Sequence, residues 1–573
     1  MNTRLIPPGA ALPTPLDRPA PSWRALLMQT LERPLPFALL AALWLMATLG
    51  ARPLMLPDEG RYVGVAWEML HAQDWWTPTL NGLPFFHKPP LFYWITAGAM
   101  QLFGPHEWAA RLAPLLGGWM AAVSLHALAR RWSGAAHGAM AGVVLLAMPL
   151  FYFGAQFANL DMLVAGCITT CIALAAHAVL LREATGNQRA ARLPLLAAYA
   201  VAALGVLAKG LIGIVLPGLV IVLWLGLRRD WRGLWALVSL PGLLLFALIA
   251  VPWFVVMEQR FPGFLHYFFV VQHFQRFSGS GFNNVMPFWF YPAVLLLVSL
   301  PWLPALRRPR RAVAARSWRL PERMRLLAWI WLVVVVLFFS MPHSKLLGYV
   351  LPAVPALAYL LADGILAGLR QAQGPVRFWR HWQMGALLSA ALGVVAVAWV
   401  AWSGQLSSNA PMGSVLRVLQ QPGDPVVIFG RYPYDLRFYN RASEPAVIVG
   451  NWADPDIPNH DDWRKEIADA AQFAPAMADR TLVANAQLPE RLHGVRQAWL
   501  VGPASAVADL PPQFHAERVF QDRSAGAGRD PQTLWRLSAV PAPQIPVGHG
   551  CNPAQTAAHA VPAAIAAVTS AAR

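Results

Sequence analysis

Apolar positions run in long blocks along most of this 573-residue chain, broken by short polar turns and seldom alternating with them. A helix of about 20 apolar residues crosses the roughly 30 Å hydrocarbon core of a bilayer, so the pattern predicts membrane spans. Eleven runs fit, near 35–56, 109–128, 138–153, 160–181, 194–207, 210–227, 235–257, 286–304, 326–341, 347–368 and 384–402. The run 91–103 is too short for an ordinary crossing and reads as a helix lying on or dipping into the membrane. Segment 194–207 is also short, which widens the expected count to 11–13. Gly210, in VLAKGLIG, breaks one apolar run beside Lys209, an arrangement found where backbone lines a cavity.

The pattern changes after residue 403. PVVIFG (425–430), TLVANA (481–486) and AWLVG (498–502) read as buried strands, and DDWRKEIADAAQFA (461–474) as a helical stretch. Asparagines, aspartates and prolines around 451–462 read as a surface loop. The expected architecture is an α-helical polytopic membrane protein with a small C-terminal α/β domain. Its divisions are a disordered tail over 1–30, a membrane domain with outward loops over 31–404, the α/β domain over 405–540, and an Ala/Pro-rich tail over 541–573.

Composition agrees: 57% hydrophobic and 13% charged residues exclude an ordinary soluble enzyme. Arginines orient the chain. Arg24 and Arg33; Arg130 and Arg131; Arg182, Arg189 and Arg192; Arg228, Arg229 and Arg232; the cluster Arg307 to Arg325; and Arg370, Arg377 and Arg380 fall on alternate loops. Those loops are cytoplasmic by the positive-inside rule, so 57–108, 258–285 and everything after about 403 face outward. The net charge of +17 then reflects topology and anionic lipid, with no motif for nucleic acid. The first apolar stretch is long enough to remain as an anchor and does not read as a cleavable signal. Cys167 and Cys171 sit four apart in an apolar helix and read as buried small residues, and Cys551 lies in the tail.

Of 45 basic residues only four are lysines, and Lys88, Lys209 and Lys345 fall beside membrane segments at the outer face. That grouping suits an anionic substrate, while interfacial snorkelling accounts for each lysine singly. Asp58, in LPDEGRYVGVAWEML (56–70), stands at the outer end of the first crossing. It opens an amphipathic helix whose Val63, Ala66, Trp67 and Leu70 share a face. Asp58 and Glu59 can serve as helix-opening charges or as a carboxylate with chemical work above the bilayer. Asp161 is a second outer carboxylate, with Asn159 placed to cap its helix. HYFFVVQHFQRF (266–277) adds His266, His273 and Arg276. The two histidines share a helical face and, with His87, form a candidate site for zinc or another divalent metal.

The ordered motifs PDEGRY (57–62), HKPPLFYW (87–94), NLDM (159–162), LAKG (207–210), HYFFVVQHFQRF (266–277), PFWFYPAVLLLVSLPW (287–302) and HSKLLGYVLPAVP (343–355) resemble those of bacterial polyprenyl-phosphate-dependent glycosyltransferases. The similarity is to the 4-amino-4-deoxy-L-arabinose lipid A transferase family, of GT-C architecture and related to protein O-mannosyltransferases. The resemblance implies a bacterial inner-membrane enzyme whose site and C-terminal domain face the periplasm. It implies an undecaprenyl-phosphate-linked sugar donor, a lipid A acceptor, membrane lipids as neighbours, a monomer, no nucleotide and no firmly required cofactor. It assigns Asp58 and Asp161 as the key acids, Arg61 and Lys88 to the donor phosphate, and Lys345 with Tyr349 to the site lining. Lys209 and Arg276 join that binding set. His87 stands where the family commonly has Glu, and Gly64 stands where RYAE carries its acid.

Breaking the anomeric C–O bond of such a donor releases polyprenyl phosphate, whose charge lysine and arginine stabilise. A hydroxyl acceptor would use Asp58 as general base, with inversion at the anomeric carbon; a phosphate acceptor is already nucleophilic. Transfer of a hexose to protein or another envelope glycan is the alternative activity. A transporter or non-catalytic assembly protein is the alternative from another class.

Overall fold

The computed structural model describes residues 23–275, 284–305, 320–371, 375–404, 408–522 and 531–539. The expected tail 1–30 is described from Trp23 onward, where a helix Trp23–Glu32 forms, and the tail 541–573 lies outside the described residues.

Among the described residues, seven helices are long and apolar enough to cross a membrane: Leu112–Ser133, Leu160–Thr185, Gln188–Lys209, Leu240–Arg260, Glu322–Ser340, Leu347–Leu369 and Arg380–Trp402. Ala135–Ala147 and Pro149–Ala155 supply an eighth only if the pair, bent by 71°, counts as one span. The expected 11–13 is therefore not the number of full-length helices. Three anticipated crossings are short apolar helices, Pro34–Met46, Ile212–Leu227 and Phe290–Pro304. Apolar sequence persists through residues where the helix does not. At about 1.5 Å per residue, the 16 residues of Ile212–Leu227 reach about 24 Å. In the opposite direction, 194–207 belongs to a 22-residue helix. Asn187 caps its start by accepting from Arg189 N, and arginine-bearing turns carry the helix beyond its apolar run.

Leu160–Thr185 is the central helix, packed between Leu112–Ser133 and Gln188–Lys209. Close approach explains its glycine: a Cβ on Gly166 would overlap the backbone of Gly117 on the neighbouring helix. Cys167 and Cys171 are buried free thiols on this helix. Gly210, at φ 90°, ends Gln188–Lys209 and leaves Lys209 as its last residue. On the arginine-rich side, Glu183 pairs with Arg228 and Arg323, each at 2.6 Å, so three of the loops assigned to one face meet there.

Among the described residues there are eight strands. β1 (Thr79–Leu80) and β2 (Leu83–Pro84) form a small hairpin in the outward loop. The C-terminal domain contains β3 (Val426–Phe429), β4 (Val447–Val449), β5 (Leu482–Val483), β6 (Gln497–Pro503), β7 (Phe514–Gln521) and β8 (Gln532–Ala539). They form a mixed sheet in the order β5-β4-β3-β6-β8-β7, with β5, β4, β3 and β6 parallel and β8 antiparallel to both β6 and β7. The runs expected at 425–430, 481–486 and 498–502 correspond to β3, β5 and β6. Strands β4, β7 and β8 were not anticipated: β4 is three residues long, and β7 has no buried position and carries His515, Glu517, Arg518 and Gln521, so neither gives an extended apolar run.

This sheet domain docks on the outward helix Asp58–Ala72. The Asn81 amide and the Ala446 backbone exchange hydrogen bonds of 2.9 and 2.8 Å, and Trp67 Nε1 donates to Ala442 O at 2.9 Å. Glu68 pairs with Arg437 and accepts from Asn81 N, Gly82 N and Thr79 Oγ1. The face Val63–Ala66–Trp67 of the expected amphipathic helix is buried within protein, because the docked domain makes Asp58–Ala72 an inner layer.

Candidate active site

The segment before Asp58–Ala72 is fixed from below. Glu59 is fully buried, and Arg52 and Arg111 both grip its carboxylate, Arg111 Nε at 2.8 Å. Met55 N and Ala158 N donate to it as well, each at 2.8 Å. Burial alone would raise its pKa, but the two guanidiniums outweigh burial and hold the carboxyl down to about 2. In the sequence Glu59 reads as a helix-opening charge or as a carboxylate with chemical work above the bilayer. Its actual partners are a preceding loop residue and one 52 positions away, a pairing no local pattern reveals.

With Glu59 anchored, Asp58 points the other way, into a cavity of about 430 Å³. Its carboxylate receives Asn159 Nδ2 at 3.4 Å and lies 3.8 Å from Arg61 Nη1; no side-chain cap closes the helix start. Asn159 works in two directions. Its oxygen caps Leu160–Thr185 by accepting from Asp161 N at 3.1 Å, while its nitrogen meets Asp58. Asp161 forms an ion pair with Lys209, whose ammonium also sits 4.4 Å from the Tyr349 ring centroid. Gly348 is required beside this pair, since a Cβ there would overlap the Asp161 carboxylate.

Asp58, Arg61, Lys88, Asp161, Lys209, Tyr349 and His87 all line this one cavity. Pro89 and Pro90 follow Lys88, with Pro90 at the start of helix Leu91–Phe103, and fix the chain where the lysine enters. Lys345 does not line the cavity. Its ammonium is buried on the carbonyls of Met286 and Pro342. The backbone is extended at Leu346, so adjacent side chains alternate: Leu346 faces the cavity and Lys345 faces away. Arg276 lies outside the described residues, as does the side chain of His273. His266–Gln275 winds as a π-helix, whose i→i+5 bonding alters the α-helical spacing that placed His266 and His273 on one face. His266 is exposed, while His87 is buried against Phe85, with ring centroids 4.4 Å apart. Among the described residues no group of three His, Cys, Asp or Glu side chains is placed to hold a metal ion.

The far wall comes from the C-terminal domain and was not anticipated. Arg431, Tyr434, Asp461, Asp462, Trp463 and Glu466 complete the lining. Glu466 pairs with Arg61 at 3.0 Å and accepts from the Tyr434 hydroxyl at 2.6 Å, joining the two domains across the cavity. Burial opposes the Arg61 charge, but Glu466, then Tyr434, Tyr62 and Asp58, hold its pKa well above the ordinary arginine value. Asp461 and Asp462 fall at the end of the expected surface loop; Asp462 caps helix Trp463–Ala471 through Arg464 N and Lys465 N. Their polarity is the only sequence signal, and it equally suits a solvated turn. The cavity thus presents two kinds of wall. Lys88, Lys209, Arg61 and Arg431 can stabilise phosphate, and the carboxylates can orient a cationic or hydroxyl-bearing group.

A family model described as dolichyl-phosphate-mannose-protein mannosyltransferase matches residues 87–255. The chain is 32% identical over 372 residues to the undecaprenyl phosphate-alpha-4-amino-4-deoxy-L-arabinose arabinosyl transferase of Aeromonas salmonicida (strain A449), covering 62% of this chain and 64% of that one. It is 33% identical over 356 residues to arabinosyl transferase 1 of Sodalis glossinidius (strain morsitans), covering 61% of this chain and 59% of the relative. The chain thus spans less than two thirds of the length of these curated relatives. The crystal structure of ArnT from Cupriavidus metallidurans bound to undecaprenyl phosphate superposes with a TM-score of 0.71 at 26% identity, over 87% of this chain and 97% of that chain. The archaeal oligosaccharyltransferase AglB from Archaeoglobus fulgidus shares the fold at a TM-score of 0.50 and 14% identity, over 85% of this chain and 70% of that chain.

Proposed function

We infer that this chain, a homologue of the ArnT transferases with the GT-C membrane fold, moves 4-amino-4-deoxy-L-arabinose from undecaprenyl phosphate to lipid A at the periplasmic face of the inner membrane. The observation that carries the reading is the convergence of Asp58, Arg61, Lys88 and the Asp161–Lys209 pair on one cavity at the outer ends of membrane helices. A polyprenyl donor enters such a site with its tail in lipid and its phosphate among the cations.

The reaction exchanges one C–O bond for another at the anomeric carbon. An acceptor phosphate oxygen attacks from the face opposite the donor phosphate, the anomeric C–O bond breaks, and undecaprenyl phosphate leaves with the bonding electrons. Charge builds on that phosphate, so Lys88, Arg61 and Lys209 act where it grows. Asp58 faces the cavity with a carboxylate held by Asn159. With a phosphate acceptor it orients the sugar's ammonium and takes no proton.

Mass spectrometry of lipid A from cells with and without the gene tests the assignment. The expected result is an amino-arabinose adduct that depends on the gene; an identical profile while the protein is made would overturn it. The match of residues 87–255 to the mannosyltransferase model supports one second reading, transfer to a protein hydroxyl with Asp58 as base. Glycopeptides in place of modified lipid A would favour it.

A further inference from the structure

A second cavity, of about 800 Å³, opens on the opposite side of the membrane domain, between the starts of two spanning helices. Arg182, Arg189, Arg192 and Arg232 line it, and no acidic residue does. The contrast with neighbouring arginines is specific. Arg228 and Arg323 both pair with Glu183, and Arg325 pairs with Asp363. Among the described residues none of the four cavity arginines has a carboxylate partner; Arg182 donates only to the Arg232 carbonyl, at 3.0 Å. Gln188–Lys209 and Leu240–Arg260 both begin at this cavity, bringing two positive helix ends to it. One flank is apolar: Trp235, 76% exposed, with Val238 and Leu240 also exposed. Four guanidiniums without a carboxylate partner among the described residues, two helix starts and an exposed tryptophan meet at this cavity.

We propose that this cavity binds the phosphate headgroup of an anionic phospholipid of the inner leaflet. The arginines take the phosphate, and Trp235, Val238 and Leu240 lie along the acyl chains. The site is separate from the outer cavity. The helix that begins there at Gln188 ends in the outer cavity at Lys209, and its 22 residues span about 33 Å. Occupancy would pin this helix at its inner end while its outer end holds the Asp161–Lys209 pair.

The test uses full-length protein in neutral detergent and measures binding of short-chain phosphatidylglycerol, short-chain phosphatidylcholine and inorganic phosphate. The wild type should bind phosphatidylglycerol well above the other two. Loss of one surface arginine costs about fivefold, so the triple variant Arg189→Gln/Arg192→Gln/Arg232→Gln should bind about a hundredfold more weakly. Arg229→Gln, a cytoplasmic arginine outside the cavity, should bind as the wild type does. If the triple variant fails to fold, Arg189→Gln and Arg192→Gln separately should each lose about fivefold. Equal affinity in wild type and the cavity-arginine variants, or equal binding of the two phospholipids, would overturn the proposal. Inorganic phosphate binding as tightly as phosphatidylglycerol would overturn the lipid assignment in favour of a soluble phosphate compound.

Discussion

Glu59→Gln removes one charge from a fully buried site and keeps the side chain's size. Four donor groups converge on that carboxylate: the guanidiniums of Arg52 and Arg111 and the backbone N–H groups of Met55 and Ala158. A glutamine amide offers one acceptor oxygen and turns an NH₂ toward donors, leaving buried guanidiniums incompletely paired. Holding the carboxyl at about 2 instead of its ordinary value corresponds to about 3 kcal/mol of preference for the charged form in the folded protein. The substitution should therefore destabilise by about 3–5 kcal/mol, as expected for breaking a buried ion pair. The pH dependence follows from the sign of the shift. A lowered folded pKa gives a contribution present above the unfolded value of about 4.3 and lost as pH falls through about 2. Thermal unfolding in detergent at pH 7 should show a lower midpoint for the variant, and the gap should remain constant down to about pH 5. An unchanged midpoint would refute the clamp, and a gap that closes between pH 7 and 5 would refute its electrostatic origin.

Gly348→Ala places a methyl against the Asp161 carboxylate and should displace it from Lys209, lowering transfer by an order of magnitude or more while the protein still inserts. Turnover at saturating donor checks this, and wild-type turnover would show that the pair tolerates displacement. Asp435 is buried beneath Asp58–Ala72 and accepts from Ser408 and Asn409; burial pushes its pKa up to about 6. For this raised value the stabilising contribution is complete below about 3.9 and lost as pH rises through about 6, so wild type should lose up to about 3 kcal/mol against Asp435→Asn between pH 4 and 7. Parallel melts across that interval check it, and curves that stay parallel would contradict it.

Much of the membrane domain was legible because apolar run length and arginine placement are one-dimensional signals. The Glu183 cluster joins loops that arginine placement put on one face. Asp58, Asp161 and Lys209 could be nominated singly, since each is an ionisable residue beside hydrocarbon. The pairing of Asp161 with Lys209, 48 residues apart, could not be read locally. Nor could the contribution of Arg431 and Glu466, which depends on a domain docking more than 360 residues beyond Asp58 in sequence. Helix length departs from run length for a different reason: apolar sequence continues past the helix end at Met46 and across the break at Gly210. Lys345 failed through alternation, since one step along extended backbone turns a side chain from the cavity to the interior.

An undecaprenyl-phosphate sugar is expected to react in the cavity built around Asp58 and Lys88. The most direct measurement incubates purified protein with undecaprenyl-phosphate-linked 4-amino-4-deoxy-L-arabinose and lipid A, following donor loss and product together. Wild type should release undecaprenyl phosphate and form modified lipid A in equal amounts. Asp58→Asn should be nearly inactive at normal protein level, and Lys88→Ala should lose both donor affinity and turnover. An intact donor with wild-type protein, or wild-type turnover by Asp58→Asn, would contradict the account.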